Sequence, residues 1–432
     1  MAPSATMLPV KLAVVLLALA AARPARACYS RVFSFGDSLA DTGNYRYVYG
    51  NGTGPRLPYG ETFFHRATGR FSNGRILVDF IGTEQACDQS TEQLGRNGRA
   101  CVLILGLCCV VWVRHDDAAD ALGLPFVRPY WSGRSSEDFA GGANFAVGAA
   151  TALSPEALWE HGFAAARADL VHLDMEMSWF RDMLQLLCPR DLADCVGMMN
   201  KSLFLVGEIG GNDYNIPLTS SVPVEKIRAF APSVISKISS TITDLIGLGA
   251  KTLVVPGNLP IGCLPVYLTM YQTDNMGDYE SETGCIRWMN EFSRYHNKLL
   301  VDELEKLRKL HPSASIIYAD YYGAAMEIFV SPYKFGIEDP LMACCGVEGP
   351  YGVSITTKCG HGEYKVCDNP QNYASWDGLH PTETSYKAIA DGMLRGPYTQ
   401  PPIATTKNSC SKLTELVSSV CRLQGSLQFV IL

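Results

Sequence analysis

Residues 33–44 of the chain read FSFGDSLADTGN. A short apolar, β-prone run from Arg31 to Phe35 stops at Gly36, and an acidic residue, a serine and further turn formers follow. This pattern predicts a buried strand that ends in a tight turn displaying Ser38. A rigid strand with an open loop in front of it is a suitable place for a nucleophile, although a serine hydroxyl reacts only when a base accepts its proton.

The same stretch contains Asp41-Thr42-Gly43, which reads like one half-site of an aspartic protease. That class needs two carboxylates that share a proton, and a second Asp-Thr-Gly or Asp-Ser-Gly is absent from the sequence. A Gly-Asp-Ser turn with no catalytic role is the other alternative. Catalysis therefore requires a base, an orienting acid and oxyanion donors elsewhere in the chain.

Length and charge limit the class of protein. With 432 residues the chain can bury a large core, and length alone allows two or three domains. The formal net charge is −7 and no basic stripe is present, so we expect no nucleic-acid partner.

The amino terminus has the pattern of a secretory signal peptide. Lys11 precedes the apolar run from Leu12 to Ala22, and small residues precede a cleavage site near Ala27. The apolar run is too short for a membrane span, so we expect residues 1–27 to be removed and the mature protein to be secreted, without a stable membrane span. A cytosolic chain with an apolar start is the alternative.

The fifteen cysteines fit an oxidising compartment, in which disulfides are the default. We expect local bridges Cys188–Cys195 and Cys263–Cys285 and two more within residues 344–367, although pairing cannot be deduced from sequence. Zinc is the alternative for the last four cysteines, and the lack of any Cys-x-x-Cys disfavours it. In a secreted protein, Asn51 and Asn200 would be glycosylation sites.

Residues 82–117 do not fit their surroundings. They are polar at first and then form an apolar run at 102–113, which is too short for a bilayer and long for a strand. The helical pattern that begins at Arg75 would continue smoothly if Ile81 were joined to Ala118. The block is interpreted as an insertion, and a retained intron or a genuine surface insertion would each explain it.

The rest of the chain alternates short apolar strands with amphipathic helices. Such alternation predicts a parallel sheet covered by helices on both faces, in one domain from residue 28 to 400 followed by a tail at 401–432. The expected strands are 203–207, 252–255 and 315–319, and the expected helices are 168–187, 224–248 and 286–310.

A second candidate motif lies near the carboxyl end, where residues 376–382 read WDGLHPT. Asp377 and His380 are three residues apart and can meet in one turn, where the carboxylate accepts the Nδ1 proton and leaves Nε2 free as a base. A surface Asp-Gly turn beside an unrelated histidine is the alternative.

Four motifs together resemble the GDSL esterase/lipase family of the SGNH hydrolases. FGDSL with DTGN at 35–44 resembles its first block, NFAVG at 144–148 the second, GGND at 210–213 the third and DGLH at 377–380 the last. They occur in the family's order, and the likeness extends over residues 28–396 apart from the suspected insertion. Cys344-Cys345 and the Trp-Asp-Gly at 376–378 make the plant secreted branch the nearest likeness.

The resemblance implies a flavodoxin-like, three-layer α/β/α fold with a central parallel sheet. It implies that Ser38 is the nucleophile, that His380 is the general base and then the general acid, and that Asp377 orients it. The implied oxyanion donors are the backbone N–H of Ser38, the N–H of Gly148 and the side-chain amide of Asn212. The family usually has Gly-Gly where this chain has Gly148 followed by alanine, so Ala149 is the alternate donor. No metal or organic cofactor is implied.

We therefore expect a secreted serine esterase or lipase that hydrolyses carboxylic esters, of small molecules or lipids, through an acyl-serine intermediate. An acyltransferase with the same Ser-His-Asp site and a non-catalytic secreted binding protein on the same scaffold are the alternatives. α/β-Hydrolases also have the order Ser, Asp, His, but their serine lies in Gly-x-Ser-x-Gly, and Ser38 is followed by Leu39-Ala40.

Overall fold

The computed structural model describes residues 29–50, 52–84, 99–104, 107–112, 126–220, 222–354 and 357–403. The chain forms two compact units. One comprises Tyr29–Gly82 and Pro125–Ser409, and it contains the central sheet and the candidate catalytic residues. The other comprises Met1–Cys28, Thr83–Leu124 and Cys410–Leu432.

The described residues form twelve strands and eleven α-helices. The strands in chain order are β1 (Arg31–Phe35), β2 (Arg99–Ile104), β3 (Leu107–Trp112), β4 (Gly142–Asn144), β5 (Ser202–Val206), β6 (Thr252–Pro256), β7 (Ser315–Ala319), β8 (Asp339–Ala343), β9 (Cys345–Gly346), β10 (Lys365–Val366), β11 (Tyr373–Ser375) and β12 (Thr399–Gln400). The helices are α1 (Tyr45–Tyr49), α2 (Leu77–Glu84), α3 (Pro155–Glu160), α4 (Leu173–Leu187), α5 (Val196–Met199), α6 (Gly211–Thr219), α7 (Val224–Gly247), α8 (Pro265–Met270), α9 (Arg287–Leu310), α10 (Tyr321–Val330) and α11 (Glu383–Leu394).

The central sheet has six strands in the order β12-β7-β6-β5-β1-β4. All neighbours are parallel except β12, which pairs antiparallel with β7. Numbered along the chain, the five parallel strands have the order 2-1-3-4-5, which is that of the flavodoxin-like fold. The predicted fold class is confirmed, and the crevice at the carboxyl ends of the strands is where such folds bind ligands.

Strand β1 lies in the middle layer because its side chains alternate between two apolar environments. Phe33 and Phe35 are fully buried and both contact Phe180 of α4, with ring centroids 5.4 and 5.5 Å apart. Ser34 points to the opposite face, where it lines a small cavity with Tyr386 of α11. Helices therefore cover both faces, as the apolar run at β5, all of whose residues are buried, also indicates.

The apolar run at 102–113 lies in the second unit. Residues 99–104 and 107–112 form an antiparallel hairpin, β2–β3, in which Arg99 pairs with Trp112. A run that is long for one strand is thus divided into two. The rest of the suspected insertion at 82–117, beyond α2 and this hairpin, lies outside the described residues.

Four disulfides are present in the described chain. Cys188–Cys195 and Cys263–Cys285 are the two expected local bridges. The pair within residues 344–367 is Cys344–Cys367 and Cys345–Cys359, so these four sulfurs are not available to zinc. No helix in the described segments has the length and apolar character that crossing a membrane requires. The predicted signal peptide, Asn51 itself and most of the tail lie outside the described residues.

Candidate active site

The turn that carries Ser38 follows β1 directly at the carboxyl edge of the sheet. Gly36 has a φ of +139°, and a Cβ there would lie 2.9 Å from the carbonyl oxygen of Glu208, which follows the neighbouring strand β5. Glycine is needed because the backbone turns sharply against another backbone at this point. Ser38 is left largely buried, with 8% of its surface exposed.

Three side chains that sequence reasoning selected form one continuous chain of hydrogen bonds. Ser38 Oγ lies 2.8 Å from His380 Nε2, although the two residues are 342 positions apart. His380 Nδ1 lies 2.7 Å from Asp377 Oδ2. The arrangement places an imidazole nitrogen at the serine hydroxyl and an acceptor behind the imidazole, which is the geometry of an activated nucleophile.

Asp377 is fixed by four donors. Its Oδ1 accepts the backbone N–H groups of Leu379 and His380 at 3.0 and 2.8 Å, and its Oδ2 accepts the His380 imidazole and the hydroxyl of Tyr59, the last at 2.7 Å. Burial alone would raise the pKa of Asp377, but adjacent His380 and these hydrogen bonds lower it to about 2. The carboxylate therefore stays charged and can stabilise an imidazolium.

Two aromatic residues that the sequence did not single out hold this pair in place. Tyr59 is buried, which raises the pKa of its hydroxyl well above the usual value and keeps it a donor to Asp377. The Phe71 ring lies against the His380 imidazole, with centroids 4.8 Å apart. Both come from an aromatic-rich loop, and nothing in the local pattern distinguishes them from its other aromatics.

Asn212 begins the second turn-and-helix unit of the site, in the first turn of α6 after Gly210, whose φ is +102°. Its Nδ2 donates to Ala150 O at 3.0 Å and to Asp37 Oδ2 at 3.2 Å, and its Oδ1 accepts from Asn215 at 3.1 Å. The amide plane is thereby fixed beside the Ser38 turn.

The structure does not leave the N–H of Gly148 for an oxyanion. That N–H donates to Asp41 Oδ2 at 2.9 Å. Among the described residues, the N–H groups of Ser38 and Ala149 have no hydrogen-bond partner. Ala149 has a φ of +67°, so alanine here occupies the left-handed region that a second glycine would occupy without strain. Of the two candidate donors in this block, the N–H of Gly148 is therefore engaged within the protein and the N–H of Ala149 is free.

Asp41 has a structural role in the same turn. The fully buried carboxylate accepts the N–H groups of Gly43, Asn44, Tyr45 and Gly148. Burial raises its pKa to about 6 against the effect of these donors. The Asp-Thr-Gly motif therefore organises the loop and is not half of a protease dyad.

Four further buried acids surround the turn, and sequence reasoning assigned a role to none of them: Asp37, Glu176, Glu208 and Asp213. No group of three or more histidine, cysteine, aspartate or glutamate side chains in the described chain is arranged to hold a metal ion. Asn200, the second predicted glycosylation site, is half-buried directly before β5, and the Ser202 of its sequon is fully buried.

Comparisons with known proteins find similar sequences over most of the chain. The family model described as GDSL-like Lipase/Acylhydrolase matches residues 32–393. A GDSL esterase/lipase of Arabidopsis thaliana is 44% identical over 378 residues, which is 87% of this chain and 86% of that protein. Another from the same plant is 40% identical over the same length, and a sinapine esterase of Brassica napus is 39% identical over 386 residues, or 88% and 89% of the two chains.

Proposed function

Because the chain belongs to the GDSL-like lipase/acylhydrolase family and is a carboxylic ester hydrolase, we propose that Ser38, His380 and Asp377 carry out its hydrolysis through an acyl-serine intermediate. The observation that carries this proposal is the unbroken contact from Asp377 Oδ2 through His380 to Ser38 Oγ, with distances of 2.7 and 2.8 Å.

In acylation, Ser38 Oγ attacks the ester carbonyl while His380 Nε2 accepts the hydroxyl proton. The tetrahedral intermediate collapses, the C–O bond to the alcohol breaks, and His380 gives its proton to the departing oxygen. In deacylation a water molecule attacks the acyl-serine with His380 again as base, and the proton returns to Ser38 Oγ. Asp377 remains charged throughout and stabilises the imidazolium.

The negative charge on the carbonyl oxygen requires fixed donors. We assign this task to the N–H groups of Ser38 and Ala149 and to the amide of Asn212. The two backbone groups have no other partner in the described residues. The Asn212 amide donates its second hydrogen to Asp37 at a long 3.2 Å, and it can share this hydrogen with the carbonyl oxygen of the substrate as that oxygen becomes negative. Each such donor is worth about 3–4 kcal/mol of barrier.

The test is Ser38→Ala with Ser34→Ala as its matched control. Both serines are buried and come from the same strand-turn unit, but the Ser34 hydroxyl has no hydrogen-bond partner among the described residues, whereas that of Ser38 meets His380. We expect Ser38→Ala to lose p-nitrophenyl acetate hydrolysis and labelling by a fluorophosphonate probe, and Ser34→Ala to keep both. Undiminished hydrolysis in Ser38→Ala would refute the assignment.

Product analysis tests which esters the enzyme cleaves and whether the acyl group passes to water or to an alcohol. The esterase and lipase names of the relatives favour water as the acceptor. Since one relative is named a sinapine esterase, a panel should combine phenolic esters with p-nitrophenyl esters of increasing acyl length. Adding an alcohol acceptor and quantifying free acid against new ester separates the two reactions.

We also propose that the protein is secreted after cleavage near Ala27 and that residues 82–117 are an insertion in a single hydrolase domain. Four disulfides support the oxidising compartment. The grouping of Thr83–Leu124 apart from the unit that holds the sheet supports the insertion. Amino-terminal sequencing of the exported protein tests the first proposal. A spliced transcript that retains the codons would exclude a retained intron, and activity of protein lacking residues 82–117 tests whether the domain needs them.

A further inference from the structure

Two buried acids lie side by side beneath the Ser38 turn: Asp37 follows β1 and Glu208 follows β5. The strands are adjacent and in register, with Phe35 paired to Val206, so the two acids reach the same edge. The N–H of Asp37 donates to Glu208 O at 3.0 Å, and the two side chains hydrogen-bond to each other.

The carboxyl groups of Asp37 and Glu208 also lie close to the same point at Gly211. A Cβ added at Gly211 would lie 3.1 Å from Glu208 Oε1 and 3.6 Å from Asp37 Oδ2. Asp37 is 3% exposed and Glu208 is 7% exposed, so solvent does not separate their charges.

A hydrogen bond between two carboxyl groups requires a proton on one of them, because a carboxylate can only accept. Two bare carboxylates in contact within the interior would repel each other strongly. Burial raises the pKa of Asp37 to about 6, and burial together with the Asp37 charge raises the pKa of Glu208 well above its usual value. At neutral pH the proton therefore lies on Glu208, which donates to the Asp37 carboxylate.

Asp37 in turn holds both sides of the oxyanion site. Its Oδ1 accepts the N–H of Leu39 at 2.9 Å, which fixes the turn of Ser38, and its Oδ2 accepts from Asn212 Nδ2. One protonated pair thus connects the nucleophile turn with the amide donor.

We propose that Asp37 and Glu208 share a single proton and act as positioning residues for the oxyanion site, and that loss of this proton at alkaline pH switches the enzyme off. The proposal rests on the proposed function of Ser38 and Asn212. Ionised Glu208 places a second negative charge beside the oxygen that becomes negative in the transition state, where the low dielectric magnifies the repulsion. It also drives the two carboxylates apart and releases the Asn212 amide.

Three other titratable groups on neighbouring elements face Glu208: Asp213 on α6, Tyr321 on α10 and Tyr386 on α11. Burial raises the pKa of both tyrosines far above the assay range, so they stay neutral. Burial raises the pKa of Asp213 to about 7, and its ionisation is common to wild type and the Glu208 variants.

The decisive variant is Glu208→Gln, which keeps a donor to Asp37 but cannot ionise. We expect kcat near the wild-type value at pH 7 and an alkaline decline of kcat that is abolished or moves up by more than about one pH unit. Glu208→Ala removes the donor and should lower kcat about tenfold to a hundredfold with little change in KM. Restoration of kcat by glutamine, but not by alanine, separates positioning from packing.

The matched control is Glu176→Gln. Glu176 is fully buried near the same strand ends, but its Oε2 accepts only the backbone N–H of Gly36, at 2.9 Å. Burial also raises the pKa of Glu176 well above its usual value. The Glu176→Gln variant therefore tests whether neutralising any buried acid in this region changes the pH dependence of kcat. We expect Glu176→Gln to leave the alkaline decline in place.

An alkaline decline in Glu208→Gln that coincides with wild type would overturn the proposal, as would wild-type kcat in Glu208→Ala. If Glu208→Ala does not fold, as judged by thermal unfolding, the profile of Glu208→Gln alone decides. Fluorophosphonate labelling distinguishes failure of the proposed function from failure of the shared-proton proposal. A wild type that is not labelled refutes the role of Ser38. A wild type that is labelled and active, with Glu208 variants whose pH dependence of kcat is unchanged, refutes only the shared proton.

Discussion

Gly148 is packed so closely that one added methyl group should displace His380, the proposed general base. A Cβ at this position would lie 2.5 Å from two carbon atoms of the Phe71 ring and 2.8 Å from the Tyr45 ring. Carbon atoms in contact require about 3.5 Å, so Phe71 must withdraw by about 1 Å. Because Phe71 lies against His380, with centroids 4.8 Å apart, the displacement reaches the imidazole.

A misplacement of about 1 Å in catalytic geometry costs about 10²-fold in rate, and overpacking a dense site costs about 1–3 kcal/mol of stability. We therefore expect Gly148→Ala to lower kcat/KM for p-nitrophenyl acetate about a hundredfold. We also expect it to lower the free energy of unfolding, measured in urea, by about 1–3 kcal/mol. The double variant Gly148→Ala/Phe71→Leu, which makes room for the methyl group, should recover part of both losses.

Ala149→Gly is the control from the adjacent position. It adds no atom, and the relief of about 1–2 kcal/mol of left-handed strain is offset by about 0.5–1 kcal/mol of glycine entropy. Its stability and kcat/KM should therefore stay close to wild type. Wild-type kinetics and stability in Gly148→Ala would refute the steric argument.

Three further outcomes are expected. Asn212→Ala should lower kcat about 10²–10³-fold with little change in KM, and a loss confined to KM would contradict its role as an oxyanion donor. Arg70→Met should lower the free energy of unfolding by about 3–5 kcal/mol, because it leaves the fully buried Asp79 carboxylate without the cation that it meets at 2.6 and 2.8 Å; an unchanged urea midpoint would argue against a buried pair. Replacing Cys263 and Cys285 by alanines should lower the free energy of unfolding by about 3 kcal/mol, as expected for a bridge that spans a sequence separation of 22 residues. The variant is compared with the oxidised and the reduced wild type.

The three proposed catalytic residues could be selected from sequence because each lies in a short motif with its own turn chemistry. The Gly-Asp-Ser turn ends a strand, and Asp377-x-x-His380 closes on itself through the backbone N–H groups that the aspartate accepts. The alternation of strands and helices then predicts that both turns reach one edge of a parallel sheet. Local signals thus sufficed for the fold class and for the expectation that Ser38 and His380 meet, while their catalytic roles came from the family resemblance and stay a proposal.

The oxyanion donor in the second block could not be assigned in the same way. Whether the N–H of Gly148 or that of Ala149 is free depends on the carboxylate of Asp41, which is 107 positions away in the chain. Alanine is also an unfavourable residue for a φ of +67°, so propensity favoured Gly148 over the neighbour whose N–H is free. Tyr59 likewise reaches Asp377 across 318 positions, a contact that no periodicity encodes.

The buried acids around the crevice have a common explanation in the backbone of the loops. Once the chain leaves the carboxyl ends of the strands, its N–H groups lose their partners in the sheet, and a buried N–H without an acceptor is costly. Carboxylates supply these acceptors: Glu176 for Gly36, Asp37 for Leu39, Asp41 for four residues, Asp213 for Ala152 and Leu153, and Asp377 for Leu379 and His380. In the described part of the crevice, Ser38 and Ala149 are left with N–H groups that no side chain or carbonyl accepts. An ester oxygen that becomes negative there would meet two N–H groups that already lack a protein acceptor in the folded state. They would therefore stabilise the transition state without first breaking a hydrogen bond within the protein.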